Sequence, residues 1–382
     1  MFEIVEARSN GTVIKVIGVG GAGGNAVDHM IRNGVVGVEF IAANTDAQAL
    51  SRCLTKSQIQ LGSTGLGAGA KPEAGRAAAL EQREAIRETL TGAHMCFITG
   101  GMGGGTGTGA APVVAEIARE MGLLTVAVVT KPFAFEGRRL RIAEKGLEEL
   151  SEHVDSLIVI LNEKLIEVLG EDVSMKDAFR AADDVLYNAV AGISEIINSP
   201  GLVNVDFEDV RTVMAEMGMA MMGSAYAAGI DRARVAAEQA VASPLLEGIN
   251  LAGARGVVVN ITASDGLKMR EVHEVMRTIQ TFAADDSHII FGAVYDEAMG
   301  DNLRVTVVAT GLGNREAARV HKPQLVVQRT GTDNAGIQVV DYGSLESAPA
   351  VFRKNRNSTI EALSASGVDK YDIPAFLRKQ AD

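Results

Sequence analysis

Ten consecutive residues, Gly100–Gly109, contain seven glycines; an apolar segment, His94–Ile98, runs into them and a helical pattern, Ala111–Gly122, leaves them. Glycine loses more backbone entropy on folding than any other residue and adds no side chain to a core, so a packed helix or strand is not built from such a run. This much bare backbone between a strand and a helix marks a turn where something other than protein needs room. Consecutive glycines let successive N–H groups face one anion. Thr106 and Thr108 add hydroxyls, and the helix that follows turns its positive end to the same point. The chain contains no Gly-Lys-Ser/Thr, so this is not a Walker-type loop.

A second pattern, Gly18-x-Gly20-x-x-Gly23, follows Val13–Val19 and precedes the helical stretch Ala26–Gly34. It suits phosphate held by backbone N–H groups at a helix start. Taken alone it also suits an ordinary tight turn, or the nicotinamide site of an oxidoreductase. Two phosphate-type loops on different strands fit one polyphosphate held from two sides, and a dehydrogenase has no need of the second. Further strands are expected at 38–44, 123–129 and 155–161, and helices at 72–90 and 138–152. Short apolar strands alternating with helices predict an α/β fold with a parallel, Rossmann-like sheet. Ligands of such sheets sit at the C-terminal strand ends, where both loops fall.

Residues 174–200 read as one long helix, with Ser174 and Asp177 at capping-box spacing and Pro200–Gly201 as a stop. Phe179, Leu186, Val190, Ile193 and Ile197 recur at helical spacing as its buried face. Beyond it, helices at 234–242 and 268–283 and strands at 255–263, 288–296 and 304–310 predict a second, smaller α/β domain. The expected divisions are an arm at 1–12, a first domain at 13–173, the central helix at 174–200, a second domain at 201–313, a disordered linker at 314–368 and a docking tail at 369–382. Net charge is −12, and residues 1–313 hold 26 Lys/Arg against 40 Asp/Glu, which argues against a nucleic-acid partner. The six histidines show no HxxxH or HExxH spacing, so no protein-held metal is expected. Cys53 and Cys96 form no CxxC pair, the N-terminus has no apolar signal core, and no apolar run reaches the ~18 residues of a membrane span. A cytoplasmic protein without direct membrane insertion is the expectation.

Several segments in order resemble the tubulin/FtsZ family. These are GGGTGTG at 103–109, NTDAQAL at 44–50, GLGAGA at 65–70, PFAFEG at 132–137, NVDFEDV at 204–210, SPLLE at 243–247, GARGVVVNIT at 253–262 and DIPAFLRKQAD at 372–382. The resemblance implies a GTPase domain binding GTP and GDP, with Mg²⁺ accompanying the nucleotide. It further implies head-to-tail filaments of the chain with itself, a cytoplasmic ring at the division site, and membrane-adaptor and regulatory partners on the tail peptide.

It also assigns residues. Gly20, Gly21, Ala22, Gly23, Gly24 and Asn25 correspond to the first phosphate loop, and Gly103, Gly104, Gly105, Thr106, Gly107, Thr108 and Gly109 to the signature. Asn44, Thr45 and Asp46 correspond to a turn after the second strand, which also reads as a simple Asx-turn. Glu136 and Arg139 match a ribose- and phosphate-side pair, with Arg138 and Arg141 as rivals. Asn162, Phe179 and Asp184 match the base-reading set; Asp183 stands beside the last, and spacing alone puts Phe179 in the core. Asn204, Asp206 and Asp209 match the catalytic loop that enters a neighbouring subunit, although Asp206 and Asp209 by themselves read as a helix cap. A side chain at Gly105 is expected to block the phosphates while sparing the fold.

Overall fold

The computed structural model describes residues 11–312 apart from 171, 199–200, 204, 217, 244–253 and 285–286, and no side chains at 168 or 201–203. The expected linker and tail, most of the arm, and Asn204 lie outside the described residues. The chain runs β1 (Ile14–Val19), α1 (Gly20–Arg32), β2 (Val38–Asn44), α2 (Ala47–Arg52), β3 (Ser57–Gln60), α3 (Pro72–Glu81), α4 (Arg83–Leu90), β4 (Met95–Gly101), α5 (Thr106–Glu120), β5 (Leu124–Lys131), α6 (Arg138–Ser151), β6 (Ser156–Leu161) and α7 (Asn162–Leu169). It continues through α8 (Met175–Asn198), β7 (Gly201–Val203), α9 (Phe207–Met214), β8 (Gly218–Ala228), α10 (Arg232–Val241), β9 (Gly256–Ala263), α11 (Met269–Phe282), β10 (His288–Tyr295) and β11 (Asn302–Leu312).

All of these strands join one sheet in the order β3-β2-β1-β4-β5-β6-β8-β11-β9-β10-β7. The first six are parallel, and their near-continuous apolar runs are what a strand covered on both faces requires. β6 pairs in parallel with β8 through Ser156–Gly218, Leu157–Met219 and Ile158–Ala220, so the sheet is not interrupted between the two expected domains. Beyond that seam it is mixed: β11 is antiparallel to β8 and β9, β10 is parallel to β9, and β7 closes antiparallel on β10.

Local sequence accounts for most element ends. Ser174 Oγ accepts the Asp177 N–H at 3.1 Å, the capping contact expected for α8. The stretch 72–90, expected as one helix, breaks at Gln82 (φ −106°, ψ 20°) into α3 and α4. The strand β8 is an Ala-, Gly- and Met-rich segment without a β-branched residue. Its eleven residues are held extended by β11 on one side and β6 on the other, so tertiary pairing overrides propensity.

One core lies between the sheet and α1, α8 and α9, and includes Val16, Phe97, Val190, Ile193, Val213 and Val308. A second packs α3–α6 on the opposite face of the parallel strands, and a third packs α10 and α11 on the mixed strands. The helix α8 touches β5, β6, β8, β9, β10 and β11. Its Glu195 carboxylate accepts from Arg304 Nη2 at 2.6 Å, Asn260 Nδ2 at 2.9 Å and Thr262 Oγ1 at 3.2 Å. Arg304, Asn260 and Thr262 are all buried.

This network makes a stability prediction. Arg304→Leu removes the cation and leaves the Glu195 carboxylate with only the neutral donors Asn260 and Thr262, so unfolding in urea should show a loss of about 3–5 kcal/mol. A change below about 1 kcal/mol would mean that the network is not what fastens α8 to the mixed strands.

Candidate functional site

The strand order 3-2-1-4 changes direction between β1 and β4, and a cavity of about 270 Å³ opens at the C-terminal ends of the parallel strands there. Gly20, Gly21 and Ala22 form one wall and Gly104, Gly105, Thr106 and Gly107 another; Glu136, Arg139, Asn162 and Phe179 complete the expected lining. Val19, Gly101, Met102, Thr130 and Pro132 also line it. The sequence reading did not assign these five, although Pro132 opens the quoted PFAFEG segment.

The glycine run is divided among three elements. Gly100 and Gly101 end β4, residues 102–105 turn, and Thr106–Gly109 form the first turn of α5. Likewise Gly20–Gly24 already belong to α1. The two helix starts touch through bare backbone: Gly20 has φ +76°, and a Cβ on it would stand 3.0 Å from Gly107 N, while one on Gly107 would stand 2.5 Å from Gly101 O. Gly21 and Gly104 differ. A Cβ on either meets no protein atom within 4 Å, and neither has a positive φ. Neither packing nor backbone demands glycine at these two positions, and both line the cavity.

Three helices begin at this cavity, α1 after Val19, α5 after Gly105 and α7 after Leu161, and none has a side-chain cap. Their first N–H groups therefore remain available to an anion, in contrast to α2 and α9, capped by Asp46 and Asp206. Asn162 is buried, and its Oδ1 has no hydrogen-bond partner. A buried amide oxygen without a donor is costly unless a ligand supplies one. Phe179 stands beside it, 46% exposed, with Phe133 edge-to-face at 5.7 Å. The helical spacing placed this ring in the core. It is exposed because the buried positions at this end of α8 are Ala178 and Ala182, and Phe179, like Met175, lies off that line.

Glu136 is mostly buried and holds both the Phe133 N–H, at 3.1 Å, and Arg139 Nη1, at 2.7 Å. Arg139 lines the cavity; Arg138 lines a different one, and Arg141 lines neither. Other expected residues support rather than line the site. Thr108 is buried and its Oγ1 accepts the Gly103 N–H at 2.9 Å, bracing the turn. Thr45 Oγ1 meets Thr106 Oγ1 at 2.6 Å, and Asn44 Oδ1 accepts the Asp46 N–H, so the NTD segment is also an Asx-turn. Gly23 and Gly24 are buried inside α1, and Asn25 is exposed. A Cβ on Gly109 would fall on Pro72 O, which makes that glycine a helix-packing residue. Gly105 also changes meaning: a Cβ there would lie 2.9 Å from Lys71 N and from Ala68 Cβ. A side chain at Gly105 would thus strike the 68–71 turn, where Ala70 holds φ +57°, before it met a ligand.

Asp184 stands on α8 outside the cavity lining, its Oδ1 2.7 Å from His29 Nε2. Asp183 is half-buried, and burial pushes its carboxyl up to about 6, against the pull of His29. Asp206 and Asp209 are exposed, and Asp206 Oδ1 accepts the Asp209 N–H at 2.9 Å, the helix cap their spacing suggested. Their helix, α9, is anchored far from the cavity. Phe207 meets His94, just before β4; Arg211 Nη2 donates to Gly122 O, just before β5; and Ser156 Oγ, at the start of β6, donates to Met214 O. The acids thus stand at the N-terminal end of the parallel strands and the cavity at the C-terminal end. Eight residues of β5 separate the two ends, roughly 25 Å at the rise of an extended strand.

Known proteins resemble this chain over its whole length. The model of the GTPase domain of the Tubulin/FtsZ family matches residues 13–170, and that of the C-terminal domain of the FtsZ family matches residues 218–313. The chain is 54% identical over 398 residues to the cell division protein FtsZ of Pseudomonas aeruginosa, covering all of both chains. It is 52% identical over 392 residues to that of Neisseria meningitidis, covering all of this chain and 98% of the other. Among solved structures, an empty FtsZ dimer from M. jannaschii aligns with TM-score 0.77 and 43% identity, over 81% of this chain and 90% of that one.

The open space at Gly104 separates ligand from fold. Gly104→Val should unfold at a temperature close to that of the native protein, yet lose at least about tenfold in GDP affinity by calorimetric titration, since its side chain enters the cavity. Gly107→Val should lose stability as well, because its Cβ meets Gly101 O. Normal GDP binding by Gly104→Val would remove that glycine from the phosphate site.

Proposed function

The chain belongs to the tubulin/FtsZ family, and from that premise we propose that it polymerises head to tail and completes its hydrolytic site between adjacent subunits. It is a GTPase, and it binds guanine nucleotide. The observation that carries the proposal is the separation of Asp206 and Asp209 from the cavity by the whole length of the parallel strands. Glycine backbone can hold phosphates but has no group to orient an attacking water. Two carboxylates can do so, and one molecule keeps them at the wrong end. Stacking a second copy on the cavity end brings its α9 acids to the first copy's phosphates. Contact between unlike faces does not close on itself, so it extends into a filament.

In this reading the N–H groups of Gly21, Ala22 and the Gly104–Gly107 turn hold the phosphate oxygens, and the starts of α1 and α5 offset their charge. Arg139, kept in place by Glu136, adds a cation at the rim. Asn162 gives its orphan oxygen to a donor of the base, Phe179 stacks on it, and Asp184 accepts the N1–H and 2-amino protons that guanine has and adenine lacks. Mg²⁺ entering with GTP spreads the charge that develops on the transferred phosphoryl group. The partner subunit's contribution is an acceptor for the water proton, from Asp206 and Asp209, with Asn204 beside them in sequence. The tail peptide at 369–382 offers Ile373, Phe376 and Leu377 to membrane-adaptor proteins, which would place the filament as a cytoplasmic ring at the division site. No helix among the described residues is long and apolar enough to cross a membrane.

The test is concentration. Phosphate release per molecule should rise with protein concentration and level off once filaments scatter light. Asp209→Ala should bind GTP as the native chain does, hydrolyse it at least about a hundredfold more slowly in its own polymers, and depress activity per native subunit in mixtures. Specific activity that is constant from very dilute to concentrated protein would exclude a shared site. Assembly without phosphate release would identify a nucleotide-gated scaffold instead.

A further inference from the structure

His29 lies near the end of α1 with its Nε2 2.7 Å from Asp184 Oδ1, on α8. The same nitrogen is 2.9 Å from Asn33 Nδ2. The Asn33 amide also donates to His29 O at 3.0 Å, which fixes which of its ends is nitrogen, since a flipped amide would set oxygen against oxygen. An imidazole nitrogen carries either a proton or a lone pair, an ionised carboxylate only accepts, and an amide NH₂ only donates. The two contacts therefore require opposite states of one atom. With a proton on Nε2, His29 donates to Asp184. With a lone pair there, it accepts from Asn33, and Asp184 faces that lone pair unheld.

We infer that His29 is a positioning residue for base recognition: its protonated Nε2 holds the Asp184 carboxylate in place, and loss of that proton passes the bond to Asn33, so that preference for guanine falls as pH rises. The inference rests on the reading of Asp184 as the carboxylate that accepts from guanine.

Charged groups face the ring from both helices. From α8, Asp183 and Asp184 present negative charge to it, and Tyr187 meets it edge-on at 6.3 Å. On α1 itself, Arg32 and Asp28 face each other at 4.0 Å, and Asp28 Oδ1 also accepts the Leu54 N–H at 2.7 Å. A proton on Nε2 is what holds Asp184. On the alkaline side a single ring proton remains, and on Nδ1 it leaves Nε2 free to accept from Asn33. Asp183, pushed up to about 6 by burial, also changes charge near this interval and needs a variant of its own.

The experiment measures affinities of the full chain for GDP and for IDP, which keeps the phosphates and N1–H but lacks the 2-amino group. Their ratio cancels titration of the phosphates. Between about pH 6.5 and about pH 8, across which imidazoles lose their proton, the native ratio should fall about fivefold. His29→Gln should flatten that profile. Asn33→Ala, which removes the competing donor from an exposed side chain, should hold the ratio high at the alkaline end. Asp183→Asn should keep the native profile, and nitrogen NMR of His29 should show the Nδ1–H tautomer at the alkaline end. A flat native profile, a profile unchanged by Asn33→Ala, or one lost in Asp183→Asn but kept in His29→Gln would overturn the inference. Asp184→Ala separates the two levels. If it abolishes the GDP preference while the native profile is flat, only the role of His29 fails; if it leaves the preference intact, the base reading fails and the inference with it.

Discussion

Backbone touching backbone at the starts of α1 and α5 is the contact on which the rest of this molecule depends. Gly20, Gly101 and Gly107 stand so close that a methyl group on Gly20 or Gly107 would press on the backbone of the neighbouring loop. That approach brings two uncapped helix N-termini to one cavity, and α7 adds a third from β6. Unsatisfied N–H groups at helix starts are normally covered by side chains or water. Here they converge around space that Gly21 and Gly104 keep clear. The geometry of helix starts supports the proposed phosphate site, with no lysine-bearing loop.

The direction of the sheet underlies the proposed assembly. Parallel strands have two chemically different ends: one carries the cavity, the other carries α9 with Asp206 and Asp209. The helix α9 is bound to the segments that enter β4, β5 and β6. The strand pairing between β6 and β8, and the buried contacts of Glu195 on α8, fasten the mixed strands to the parallel ones. The acids are thereby held in fixed relation to the cavity they cannot reach. In the proposed filament each junction would join phosphates from one copy to carboxylates from the next.

Much of the parallel half was legible because its strands are short apolar runs and its helices are punctuated by glycine, proline and capping residues. The expected strand at 38–44 coincides with β2, and Ser174 caps α8 as its spacing suggests. What escaped the periodicity were elements made by their neighbours. The composition of β8 has no strand preference, and only β6 and β11 hold it extended. The small elements α2, β3, α7 and α9 are too short for a period to declare itself. Phe179 fitted the apolar spacing of α8 but lies off the buried line of Ala178 and Ala182, and that difference turns a core ring into a candidate base platform.

The sequence by itself pointed to a phosphate-type ligand at the strand ends, since seven glycines crowd between a strand and a helix. Its ordered motifs also determined the family. Tertiary structure alone decided which glycines face open space and which face protein. Gly104 is open, while Gly105 is pressed against the 68–71 turn and Gly109 against α3. It alone showed that Arg139, rather than Arg138 or Arg141, lines the cavity. It also set His29 between Asp184 and Asn33. The reason is that chain order fixes chemistry and local conformation, whereas the neighbour across a helix or strand is fixed only when the sheet closes.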